Sequence, residues 1–132
     1  MRLIPAVTAL TEPYWEGAQR GELLLQRCTA CSELWHPPLP RCPRCHSDAV
    51  EWVAASGRGR VYTYTVVYHA THVAMKDKVP YISALVQLDE GPRVLTNLRN
   101  VAEDDVRVDM RVRVVFEPLT DEITLPQFEP EG

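Results

Sequence analysis

Four cysteines stand in two C-x2-C pairs, Cys28-Thr29-Ala30-Cys31 and Cys42-Pro43-Arg44-Cys45, with ten residues between them and no cysteine elsewhere. Each pair places two thiolates on one side of a tight bend. Two such bends facing each other make a tetrahedron, the geometry that Zn2+ takes in a closed structural site. One zinc per chain on Cys28, Cys31, Cys42 and Cys45 is therefore expected. Four thiolates fill the coordination shell, so this zinc would hold structure and activate no water. Iron in a rubredoxin-like electron carrier remains open, because the thiolates do not choose between the two metals. Two disulfides are the weaker reading: the opening Met1-Arg2-Leu3-Ile4-Pro5-Ala6-Val7 is no secretory signal, which points to a reducing, cytoplasmic setting. His36 and His46 lie close by, but a four-thiolate shell needs neither, and His46 reads as a turn residue that tolerates positive φ.

The elements that must hold these bends are short. Leu23-Leu24-Leu25-Gln26-Arg27 leads into the first, Leu34-Trp35-His36-Pro37-Pro38-Leu39-Pro40 links the two, and Val50-Glu51-Trp52-Val53 leaves as a strand. A module of about 30 residues buries too little surface to stand unaided, so the metal substitutes for a core. Ahead of it, residues 11–21 read as a helix. Thr11 is the N-cap, Pro13 falls in the first turn, Gly21 is the stop, and Tyr14, Trp15 and Ala18 share a side. That side either packs on its own domain or docks on a partner, and Trp15 is the candidate anchor.

After the ribbon the sequence reads as all-β. Val61 to Tyr68 is β-branched and aromatic; Ile82, Ala84, Val86 and Leu88 alternate with polar residues; Val94 to Leu98 returns after the turn Asp89-Glu90-Gly91-Pro92. Met110, Val112, Val114 and Phe116 form a further half-buried strand, and Ile123-Thr124-Leu125 a short last one. One helical turn fits Val101 to Val106. Five strands with a short helix after the third match a partly open OB-fold barrel. The expected architecture is mainly β: an N-terminal helical segment (1–22), a rubredoxin-like zinc ribbon (23–52) and a five-stranded OB-fold (53–132). Two glycines in Ser56-Gly57-Arg58-Gly59-Arg60 suggest a bulge or a close backbone approach at the junction.

The remaining polar candidates are sparse. Arg58 and Arg60 are candidates to meet an anion. His69, His72 and Lys76 sit in a long connection between strands, where functional residues concentrate. No carboxylate or nucleophile pairs with either histidine from the sequence, so no catalytic residue is assigned. Tyr62, Tyr64 and Tyr68, read as one strand face, make either core or a base-stacking platform.

Composition narrows the classes of function. The 132 residues carry 14 Lys and Arg against 18 acids, a net charge of −4. The first 60 residues hold seven arginines and six acids, and the rest seven basic and twelve acidic residues. General affinity for nucleic acid comes from accumulated cations, so this balance argues against it. No apolar run is long enough for a membrane-spanning helix.

Taken in order, the Tyr14-Trp15 helix, the paired C-x2-C ribbon, the run Ser56-Gly57-Arg58-Gly59-Arg60-Val61-Tyr62-Thr63-Tyr64-Thr65 and the stretch Val79 to Arg93 resemble the zinc-ribbon plus OB-fold proteins associated with acyl-CoA metabolism. The resemblance extends to the closing Ile123-Thr124-Leu125-Pro126-Gln127-Phe128, and departs at Ser32 and His46, where such knuckles commonly carry glycine. It implies an accessory subunit that pairs with a thiolase-like protein acting on an acyl-CoA thioester, the first choice being a retro-aldolase that shortens a steroid side chain, otherwise a thiolase or an acyltransferase. On that reading the chain catalyses nothing alone. Trp15, His69, His72 and Lys76 border the partner or the substrate passage, and Arg58 and Arg60 are weaker candidates for the CoA phosphates. Partners are then a protein and an acyl-CoA, with neither nucleic acid nor membrane. The alternative of a different class is a nucleic-acid-binding OB and zinc-ribbon module.

Overall fold

A computed structural model describes residues 7–68 and 80–131. Helix α1 spans Glu12–Gln19. It starts after Thr11 with Pro13 in its first turn, and it ends on paired bonds from the Gly21 N–H to the Ala18 carbonyl and from the Glu22 N–H to the Gly17 carbonyl. That closure places Gly21 at φ +78°, in the left-handed region.

Strands β1 (Leu24–Cys28), β2 (Leu34–Trp35) and β3 (Val50–Ala54) form an antiparallel sheet in the order β2-β1-β3. The central strand β1 is buried on both faces, with only Arg27 exposed. Leu23 and Leu25 join the barrel core, while Gln26 and Cys28 turn toward the metal-binding end.

The remaining strands are β4 (Arg58–Val67), β5 (Tyr81–Leu88), β6 (Arg93–Leu98), β7 (Arg111–Pro118) and β8 (Thr124–Pro130), with a 3-10 turn at Glu103–Asp105 after β6. They close into a barrel in the order β4-β5-β6-β8-β7. Full closure departs from the partly open expectation. It comes from the pairing of Arg58, Gly59 and Arg60 in β4 with Arg113, Val112 and Arg111 in β7, and from a parallel contact between β6 and β8. Alternation on β5 holds as read: Ile82, Ala84, Val86 and Leu88 are buried, and they meet Val61, Val94, Leu98, Val112 and Phe128 in one core. Tyr14, Leu23 and Leu25 belong to that same core, so helix, ribbon base and barrel share a single apolar interior.

Three details correct or complete the sequence reading. The last strand runs to Pro130 rather than stopping at Leu125. Next, the register of β4 against β5 shifts between Val61 and Thr63. The extra residue reverses the side-chain phase. Tyr64 therefore packs on the core and donates its hydroxyl to the Val106 carbonyl, while Tyr62 stays outside under the Arg93 guanidinium, 3.8 Å from its ring centroid. Tyr62, Tyr64 and Tyr68 do not form a common face, and the stacking platform that they suggested is absent among the described residues. Third, the two junction glycines mark a close approach: a Cβ on Gly57 (φ +80°) would lie 2.5 Å from Val114, and one on Gly59 would run into the Gln87 carbonyl.

Candidate metal centre

The two knuckles are built alike. The Cys28 carbonyl accepts from the Ser32 N–H at 2.8 Å and the Cys42 carbonyl from the His46 N–H at 2.9 Å. Each bend closes through a residue at positive φ, Ser32 at +66° and His46 at +64°. These are the positions where the sequence departs from glycine, and both non-glycine residues take the left-handed conformation there. His46 is thus a turn residue, as expected.

Each leading cysteine receives two backbone donors. The N–H groups of Ala30 and Cys31 point at Cys28 Sγ (3.3 and 3.4 Å), and those of Arg44 and Cys45 at Cys42 Sγ (3.3 and 3.4 Å). Burial works against ionising Cys42, but these donors and the neighbouring sulfurs outweigh it and hold the thiol down at about 7. Cys28 is lowered in the same sense by its own donors against the same opposing burial. Such donors favour the thiolate, the form that binds metal.

All four sulfurs lie within 4.8 Å of one another, with Cys28 to Cys45 at 3.5 Å and Cys31 to Cys42 at 3.6 Å. Four Zn–S bonds of about 2.3 Å in a tetrahedron put sulfurs about 3.8 Å apart, close to the Cys28–Cys45 and Cys31–Cys42 separations, so the cluster suits zinc. The site is one structural zinc centre with no place for a substrate.

Trp35 closes the centre from the inside. It packs with Cys28 and Cys42, and its indole N–H donates to Gln26 Oε1 at 2.6 Å. The same oxygen accepts from the Leu39 N–H at 2.6 Å, so Gln26, 3% exposed, ties the knuckle linker to β1. Gln26 was missed from the sequence; the available signal was a lone amide within the run of leucines.

The other expected site residues are dispersed. Trp15 is half-buried, edge-on to Tyr14 at 5.0 Å. With Tyr14, His36, Leu95, Leu125 and Pro126 it lines a groove of about 240 Å3 between helix, ribbon and barrel. Burial against that groove lowers His36 to about 4 and keeps it neutral. Arg58 and Arg60 lie on the β4–β7 seam, where Arg60 meets Asp109 at 2.6 Å and Arg58 meets Glu131 at 3.7 Å. Arg111 and Arg113 on the facing strand pair with Asp89 and Glu129. His69, His72 and Lys76 lie outside the described residues.

A four-cysteine zinc ribbon joined through one core to a five-stranded barrel is a zinc-ribbon/OB-fold protein. The chain belongs to the ChsH2 (DUF35) family: "ChsH2, rubredoxin-like zinc ribbon domain" matches residues 15–51 and "ChsH2, C-terminal OB-fold domain" residues 52–117. A "Probable enoyl-CoA hydratase alpha subunit" of Thermomonospora curvata is 41% identical over 98% of this chain and 40% of its own length. The "3-oxo-4,17-pregnadiene-20-carboxyl-CoA hydratase alpha subunit" of Mycobacterium tuberculosis is 38% identical over 85% of this chain and 35% of its own length. The chain thus spans well under half of these two relatives. A "Benzoylsuccinyl-CoA thiolase subunit BbsA" of Geobacter metallireducens is 32% identical over 70% of this chain and 60% of its own length. Among solved structures, a chain of the "Ltp2-ChsH2(DUF35) aldolase" superposes with a TM-score of 0.88 at 40% identity, covering 98% of this chain and 100% of that one.

Proposed function

We propose that the chain is the non-catalytic, accessory component of a CoA-thioester enzyme and pairs with a thiolase-like protein that carries the chemistry. The observation that carries this reading is the end-to-end likeness to a chain of a two-component aldolase. The chemistry of the residues supports it. The zinc shell is closed, all four cysteines are committed to it, and the two described histidines serve packing and a turn. Among the described residues no nucleophile–base pair remains. The similarity to a thiolase subunit supports a thiolase-like partner, and the similarity to a pregnadiene-carboxyl-CoA hydratase subunit supports a steroid side chain as substrate.

The first-choice reaction is retro-aldol cleavage of a β-hydroxyacyl-CoA. A base in the partner takes the β-hydroxyl proton, the Cα–Cβ bond breaks, and its electron pair passes into the thioester as an enolate. Protonation at Cα then releases the shortened acyl-CoA, and the former β-carbon leaves as a carbonyl. This chain's part is to bind the partner and wall the passage from water, which protects the enolate from side reactions. Trp15 and its groove border that passage. Arg58 and Arg60 already hold carboxylates, so a CoA phosphate there would displace Asp109 and Glu131.

Co-expression with a thiolase-like protein of the same organism tests the partnership. A stable complex on size exclusion, weakened by Trp15→Ala, is expected. Separate elution at micromolar concentration would refute it.

A further inference from the structure

Strands β6 and β8 lie side by side in the barrel wall, yet among the described residues their ladder holds one pair, Leu98 with Phe128. The reason is in the sequence. The Arg99 N–H donates to the Phe128 carbonyl at 2.8 Å, so residue 128 turns its backbone groups toward β6. Strand alternation turns residue 126 the same way, and Pro126 has no N–H to give. The ladder stops and the strands part.

The parting leaves a crevice of about 260 Å3, lined by Leu95, Thr96 and Asn97 of β6 and by Leu125, Pro126 and Gln127 of β8. Tyr81 and Ser83 of β5 complete it, and none of the eight residues is charged. The even-numbered residues of β6 face β5, where the Leu88 N–H donates to the Pro92 carbonyl. Leu95 therefore turns its own N–H and C=O into the split, beyond the end of the ladder. Its side chain is 73% exposed, the most exposed large apolar group described.

Gln127 is the second, independent observation. It is 1% exposed, and neither its amide nitrogen nor its amide oxygen has a partner. A buried amide without hydrogen bonds is destabilising, so both atoms call for a partner. One donor and one acceptor side by side are the complement of a peptide group, which offers one acceptor and one donor.

We propose that the β6–β8 crevice binds an extended peptide segment of a partner protein, which adds to the free edge of β6 at Leu95. Its backbone pairs with the Leu95 peptide groups and with the Gln127 amide, and apolar side chains settle on Leu95 and Leu125. This is strand addition, with affinity from the main chain and selectivity from alternate side chains. An uncharged lining suits a peptide and offers nothing to a polyphosphate. The crevice meets the Trp15–His36 groove through Leu95, Leu125 and Pro126, which line both, so the segment would lead from the barrel wall to the helix. The proposal deepens the partnership above and rests on it only for the identity of the partner.

The experiment is selection of random dodecapeptides, displayed on phage, against the zinc-loaded full chain, followed by amide NMR titration of the peptides selected. Selected peptides should shift the Leu95 and Asn97 amides and slow their exchange. Binding should weaken about tenfold or more in Gln127→Leu, the loss expected for one or two neutral hydrogen bonds, and in Leu95→Arg, which removes an apolar contact and brings a charge into the uncharged lining. Because Leu95 is largely exposed, Leu95→Arg keeps the test open if Gln127→Leu misfolds. Peptides that bind elsewhere, binding indifferent to Leu95→Arg, or no selected peptide at all would overturn the proposal. Phosphopantetheine is titrated as a second probe; shifts of the same amides by it alone would assign the crevice to a CoA arm and also overturn the proposal. No thiolase-like protein enters this experiment, so its failure leaves the partnership standing, and failure of co-purification leaves the crevice result standing.

Discussion

The two ends of this molecule stay folded by different means. At the knuckle end the interior is four sulfurs and one indole, Cys28, Cys42 and Trp35 being the buried members of that cluster. At the barrel end the interior is hydrocarbon, with Val61, Val86, Val112 and Phe128 fully buried. Between them, Tyr14, Leu23 and Leu25 carry the barrel core into the helix and the base of the ribbon. The boundary between metal-dependent and metal-independent structure therefore runs through β1, between Leu25 and Cys28, and not between the ribbon and the barrel as sequence segments. A cofactor can stabilise one end of a strand whose other end is held by packing.

Replacing Cys42 by Ser tests that boundary most severely. Structural zinc sites contribute on the order of 10 kcal/mol. The variant should lose its zinc and the protection of the Ala30, Ser32, Arg44 and His46 amides, while β5 amides stay protected in hydrogen exchange. Full zinc occupancy by elemental analysis would contradict the ligand assignment, and collapse of β5 would contradict the boundary. Phe128→Ala strikes the other end. It removes a ring at 0% exposure and should cost about 3–5 kcal/mol by urea denaturation, with zinc content unchanged.

Gln26→Leu probes the joint itself. It strands the Trp35 indole N–H and the Leu39 N–H, both held by one oxygen at 2.6 Å, and should cost about 1–3 kcal/mol. Unlike Phe128→Ala, it should also speed zinc release to a chelator. The smallest effect is the acid sensitivity of His36. Burial lowers its pKa from 6.5 to about 4, so the unfolded chain takes up a proton that the folded chain refuses. The stability linked to it is present above about pH 6.5 and is lost as pH falls toward 4. His36→Phe should remove roughly 1–2 kcal/mol of that loss between pH 7 and pH 5, read from denaturation midpoints.

Local signals in the sequence were reliable where one segment decides the outcome. Paired C-x2-C spacing marks the metal centre, the alternation from Ile82 to Leu88 marks β5, and Gly21 marks the end of α1, whereas Thr11 precedes the helix without the side-chain capping bond expected of it. What escaped depends on neighbours distant in the chain. A single extra residue between Val61 and Thr63 separates the tyrosines, and only the pairing with β5 reveals it. The last strand, read from the sequence as Ile123 to Leu125 only, continues through Pro126 because the N–H that the proline lacks would face a split rather than a ladder. The exposure of Leu95 and the burial of Gln127 have no counterpart in local pattern at all, because both follow from where β8 meets β6.

The central claim is that this chain supports chemistry that it does not perform. It is tested most directly by turnover of a β-hydroxyacyl-CoA with a steroid side chain, measured for the thiolase-like protein alone, for this chain alone and for the two together. The account predicts turnover only when both are present. Full turnover by the partner alone would contradict the accessory role, and turnover by this chain alone would contradict its lack of catalysis.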